Sequence, residues 1–140
     1  DVDQASAEWS DDWTVAGENP SFEVKNELLL AWNICASLKS NAIAITKNKH
    51  SLGLGMGQVN RVDAVKQAIS RAREFHGGAD SAYLASDAFF PFPDSIDIIA
   101  EAGIKWVIQP GGSIKDEEVI ERAKQRGINL VLTGKRHFNH

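Results

Sequence analysis

Between residues 82 and 132, short apolar runs alternate with amphipathic stretches, and the joints between them are only a few residues long. No other feature narrows the fold as much. Ala82-Tyr83-Leu84-Ala85, Trp106-Val107-Ile108 and the run from Ile128 to Leu132 are too short for buried helices and suit buried strands. Between them, Asp94 is placed to cap a helix running to Ala102, with Gly103 just past its end. Ser113 with Asp116 makes a capping-box-like start for a second helix to Arg126, closed by Gly127. Strand, helix, strand, helix, strand with such joints implies parallel strands and right-handed crossovers.

The first half adds a helix and a hairpin. Val24, Leu28, Ala31, Cys35 and Leu38 recur at spacings of four and three, which predicts a helix over 24–38. Leu29, Leu30, Trp32 and Ile34 widen its apolar surface, so burial on more than one side is expected, with Cys35 a small core residue. Apolar runs at 42–45 and 51–54 flank the polar Lys47-Asn48-Lys49-His50 and read as a β-hairpin. Asn60 or Arg61 then opens a helix whose expected core face is Val62, Val65, Ile69, Ala72 and Phe75, stopped by Gly77 and Gly78. The whole predicts an α/β fold, a three-layer α/β/α sandwich around a mixed sheet of about five strands.

Residues 1–22 differ from the rest: they are acidic, carry no lysine or arginine and show no period. They read as an arm or connector ahead of a folded unit at 23–140. Trp9 and Trp13 are expected to pack on the domain or on a partner, because free tails rarely carry tryptophan. The chain starts at Asp1, which suggests a piece of something longer.

A length of 140 residues suits one compact domain, and 43% hydrophobic with 24% charged residues excludes wholesale disorder. A net charge of −4 gives no basic footprint, so a nucleic-acid partner is not expected. Cys35 stands alone and can form neither an internal disulfide nor a cysteine-based zinc site. No apolar run approaches the ~20 residues that span a bilayer, and no signal peptide is visible. A soluble, cytoplasmic protein without a membrane partner is expected.

Chemistry concentrates at Ser86-Asp87-Ala88-Phe89-Phe90-Pro91-Phe92-Pro93-Asp94, which leaves a strand and enters a helix, the edge where open α/β sheets bind ligands. Its phenylalanines suit stacking on a planar heterocycle or filling a core, and Asp94 suits ring N–H groups or a helix cap. Gly53, Gly55 and Gly57 alternate without a following G-K-[ST], which favours a closely packed strand over a phosphate loop. Arg61, at the mouth of the next helix, is better placed for an anion. Lys49 and His50 lie in the hairpin turn and read as solvent-facing. The H-x-E and P-C-x-x-C motifs of zinc nucleoside deaminases are absent.

SDAFFPFPD, together with KSNAIAITKN, GLGMGQVNRVDAV, IQPGGSIKDEEVI and the closing TGKRHFNH, resembles the C-terminal part of a bifunctional purine-biosynthesis family. That family combines AICAR transformylase with IMP cyclohydrolase, and the resemblance covers about residues 24–140. It implies a cytidine-deaminase-like unit without zinc. It also implies formyl transfer from the co-substrate 10-formyltetrahydrofolate to the 5-amino group of AICAR, with a homodimer and the N-terminal part of the same protein as partners. By resemblance, Asn41 is the active-site asparagine, and Arg61, Phe89 and Arg136 contact the substrate, Arg136 at its phosphate. Val62, Pro91, Phe92 and Asp94 line the folate side, with Asp94 reading the pterin.

The chain also departs from the family pattern. The family's Lys-His dyad belongs to the first transformylase half, and Lys49-His50 has the wrong neighbours to be that dyad. Pro93 stands where an arginine is usual. Leu38, Ala42 and Asn139 stand where polar or histidine ligands of a potassium ion are expected, so no monovalent cation is expected, although Asp87 still suits organising the loop. Two other readings stay open: a non-catalytic nucleotide- or folate-binding module, and a structural dimerisation unit.

Overall fold

The computed structural model describes residues 8–88, 90, 93–111 and 116–134. In chain order the elements are β1 (Thr14–Ala16), α1 (Phe22–Ala36), β2 (Ile43–Lys47), β3 (His50–Gly55), α2 (Arg61–His76), β4 (Tyr83–Ser86), α3 (Asp94–Glu101), β5 (Trp106–Gln109), α4 (Asp116–Gln125) and β6 (Asn129–Leu132). The strands form one mixed sheet in the order β1-β6-β5-β4-β2-β3. β4, β5 and β6 run parallel, and β2, β3 and β1 are antiparallel to their neighbours. The fold is the expected α/β sandwich with one strand more than expected. The addition is β1, inside the acidic arm, which pairs Thr14 with Leu132 and Ala16 with Leu130. Three residues are too few to show a period, and the partner strand lies more than a hundred positions away.

Two apolar clusters lie on opposite faces of the sheet. One joins α2, α3 and α4 to Ile43, Ile45, Leu84, Val107 and Leu130. The other packs α1 on Ala44, Ala85, Ile108 and Val131, with Trp9, Trp13 and Trp106 at its margin. Alternate residues along each strand supply the two faces, as the pleat requires. α1 begins two residues earlier than expected, because Ser21 accepts a capping bond from the Val24 N–H, and Leu38 falls outside it. Asn48 and Lys49, at φ 53° and 64°, make the two-residue hairpin turn that matches strand twist.

On α2 the buried face is Arg61, Ala64, Val65, Ala68, Ile69 and Ala72. Phe75, expected in the core, is 68% exposed, and Val62 is half-buried. The reason is the close approach of α2 to β3. A Cβ on Gly53 would lie 2.1 Å from the Ala68 carbonyl oxygen, and one on Gly55 would lie 2.1 Å from that of Ala64. Glycine on the strand and alanine on the helix let the two backbones nearly touch, and that face has no room for phenylalanine. The closely packed strand is therefore the correct reading for Gly53 and Gly55, whereas Gly57 lies past β3 in open space at φ 67°.

Candidate functional site

Asp87 sits just past β4, fully buried, at the sheet edge where β3, β4, β5 and β6 end and β2 begins. Its carboxylate gathers three donors. The Ser40 Oγ donates at 2.5 Å, the Arg61 Nη1 at 2.5 Å and the Ala42 N–H at 3.2 Å. The Asp87 N–H returns a bond to the Ala42 carbonyl at 3.2 Å. One residue therefore ties the segment entering β2, the start of α2 and the loop leaving β4. Arg61, expected at the mouth of α2 facing an anion, is instead turned inward, its side chain only 8% exposed. A buried carboxylate requires such a partner, because an uncompensated charge in the interior is costly.

Asn41 lies inside this knot. Its Nδ2 donates to the Gln58 carbonyl at 2.8 Å, and the Gly57 N–H donates to the Lys39 carbonyl at 3.0 Å. The two loops thus brace each other, and the Ser40–Asn41 peptide bond is cis. Asn41 is half-buried, and no described residue donates to its Oδ1, so the amide keeps acceptor capacity. Asn60 caps α2 by accepting from the Asp63 N–H at 2.8 Å, which fixes where Arg61 and Val62 project.

The other expected residues divide. Asp94 is exposed as the first residue of α3; Pro93 holds the cap position and no side chain caps the helix. The expected Asp94 cap is therefore corrected. Proline before it already sets a helical φ and has no N–H to satisfy. Phe89, Pro91, Phe92 and Arg136 lie outside the described residues, as does Ser113. Phe90 is fully buried and belongs to the core, so at this phenylalanine the core reading of the loop holds. Lys49 donates its backbone N–H to Glu27, and His50 is exposed, so neither joins the site.

Cys35 lies beneath the knot, its Sγ donating to the Ala42 carbonyl at 3.3 Å. Burial pushes its thiol far above the ordinary range, and the Asp87 charge pushes it the same way. It is a structural thiol. Among the described residues no three His, Cys, Asp or Glu side chains are grouped to hold a metal ion. A cleft of about 580 Å³ lies along α4 beside Pro93, lined further by Ile120, Arg122, Gln125 and three glutamates, Glu117, Glu118 and Glu121. Its acidic wall is unsuited to a phosphate, and the Asp87 knot is the better candidate site.

Reading residue types along the chain did not find Ser40, Gln58 or Gln109. Ser40 and Gln58 carried a weak signal as neighbours of Asn41 and Arg61. Gln109 carried none beyond being a polar residue at the end of an apolar strand.

Comparison with known proteins agrees with this architecture. A dCMP deaminase from the cyanophage S-TIM5, in complex with dCMP and dUMP, superposes with a TM-score of 0.54 at 18% identity. It covers 80% of this chain and 98% of that one, a likeness of fold. The bifunctional purine biosynthesis protein PurH of Aquifex aeolicus is 51% identical over 126 residues, 90% of this chain and 25% of that protein. PurH of Corynebacterium glutamicum (strain R) is 50% identical over 144 aligned positions, 100% of this chain and 27% of that protein. The chain thus spans about a quarter of the relatives it matches. The profile described as AICARFT/IMPCHase bienzyme matches residues 1–71, and the chain belongs to that family.

Proposed function

We propose that this chain supplies part of a formyltransferase site, in which the formyl group of 10-formyltetrahydrofolate passes to the 5-amino group of AICAR during purine biosynthesis. The observation that carries the reading is the Asp87 knot, which binds Ser40 and Ala42, on either side of Asn41, and the start of α2 to the loop leaving β4 in a member of this family. The chemistry asks for such a frame. The amine of AICAR is a weak nucleophile, its lone pair delocalised toward the ring and carboxamide. Transfer therefore needs orientation, a proton acceptor and stabilisation of a tetrahedral oxyanion. Asn41 is suited to hold the formyl oxygen or the substrate carboxamide, because an amide donates and accepts at once. In this reading Arg61 keeps the Asn41 loop in place from beneath and borders the AICAR pocket with Phe89, while Arg136 takes the phosphate. Val62, Pro91, Phe92 and Asp94 form the folate side.

The proton acceptor comes from another part of the same protein. In this reading 23–140 make the deaminase-like unit, residues 1–22 lead into it and lend its sheet β1, and the complete protein works as a cytoplasmic homodimer. Among the described residues no helix is long and apolar enough to cross a membrane.

The test is a chimera in which this chain replaces the matching quarter of the Corynebacterium glutamicum relative. It is expected to transfer formyl groups, and the isolated chain to transfer none. Asn41→Ala is expected to lower the chimera's kcat by about 10²–10³-fold, the usual effect of losing one oxyanion donor. A chimera that closes the IMP ring but does not formylate AICAR, or one indifferent to Asn41, overturns the proposal.

A further inference from the structure

We propose that Gln109 is a positioning residue of this site, the tie that sets the loop between β4 and α3. Gln109 ends β5 and is fully buried. Val107 faces the α2–α3–α4 side and Ile108 the α1 side, so the pleat turns Gln109 under that loop. There its Oε1 accepts the Phe90 N–H at 3.2 Å. The amide cannot be reversed, because a backbone N–H only donates and the oxygen must face it. Phe90 is itself fully buried, leaving this N–H no water to turn to.

Ser86 braces the loop's first turn by donating from Oγ to the Ala88 carbonyl at 2.7 Å. Gln109 supplies the next anchor, and it joins the loop to the neighbouring strand rather than to its own. The residues assigned to AICAR and folate above, Phe89, Pro91, Phe92 and Asp94, flank Phe90 on both sides, so the function of this tie rests on that reading. The Gln109 Nε2 is buried and has no hydrogen-bond partner among the described residues. The one bond the amide makes here is the bond to Phe90. A side chain of equal length that keeps only the acceptor therefore suffices.

The test uses the 15N-labelled chain. The Phe90 amide is expected to exchange with solvent at least about tenfold more slowly than an exposed amide, as a buried bonded N–H does. Gln109→Met, of similar volume but without the acceptor, is expected to lose about tenfold of that protection while the Val107 and Leu130 amides keep theirs. In the chimera that carries this chain it is also expected to weaken AICAR binding about fivefold or more, read by equilibrium titration. Gln109→Glu at pH 6, where burial keeps the carboxyl protonated, is expected to restore both. An unprotected Phe90 amide in the unaltered chain overturns the proposal, as does a Met variant with protection and affinity unchanged. If the Met variant does not fold, the unaltered chain and the Glu variant decide. A chimera carrying the unaltered chain that does not formylate AICAR removes the formyltransferase reading, while the exchange of Phe90 still judges the tie.

Discussion

Asp87 carries the largest residue-scale consequence. It is fully buried, it neutralises Arg61, and it holds the Ser40–Ala42 segment through two further donors. Removing one partner of a buried pair strands the other charge and costs about 3–5 kcal/mol. Asp87→Ala is therefore expected to lower the unfolding free energy by that amount in urea titration; a loss below about 1 kcal/mol would show the pair to be dispensable. Cys35 gives a pH prediction. Its thiol is raised by burial first and by the Asp87 charge second, so the folded state keeps it protonated. The unfolded thiol ionises near its ordinary value of about 8.5. The stability linked to Cys35 is present in full below that value and declines as pH rises above it. The native thiol is expected to ignore a disulfide reagent at pH 8 and to react fully in denaturant. Fast reaction without unfolding would contradict the burial. Asp87 was legible as a residue that could organise its loop, but the partners it organises were not, because they lie 26 to 47 positions away.

At the scale of elements, the β3–α2 contact decides most. Gly55 ends β3 one loop away from Asn60 and Arg61, and it faces the Ala64 carbonyl with no space for a methyl group. Gly55→Ala forces the first turn of α2 outward. The expected cost is about 1–3 kcal/mol, the range for overpacking, with backbone rather than a flexible side chain resisting. The same shift carries Arg61 away from Asp87, so the variant should also release Asn41. Amide exchange of Ala42, whose N–H is held by Asp87, reads this directly. A variant as stable as the parent with Ala42 still protected would mean that the helix yields without cost. Periodicity located α2 and its caps, since Asn60 and Gly77 are local signals. It misplaced Phe75 because apolarity at the right spacing does not reveal how near the opposing strand comes.

For the whole molecule, the arm at the N-terminus becomes part of the sheet. β1 covers the free edge of β6, and Trp9 and Trp13, with ring centroids 4.9 Å apart, pack at the margin of the α1-side cluster. Deleting residues 1–17 bares the β6 edge and the apolar surface around Trp106 and Val131, and exposed edges recruit further strands. Light scattering at micromolar concentration is expected to show a clear rise in mass for the truncated chain over the parent; equal masses would mean the edge is protected in some other way. The sequence by itself determined the α/β class, the helices and hairpin, the parallel second half and the family motifs. Each of these is written in neighbouring residues, through period, caps and turn chemistry. Only the tertiary structure decided that three parallel strands end beside the start of β2, that Arg61 turns inward, that Gln109 reaches Phe90, and that the acidic arm supplies a strand. Those outcomes rest on pairings between distant positions, and burial, not local preference, selects them: a carboxylate, a guanidinium and a backbone N–H removed from water must find one another wherever the chain has left them.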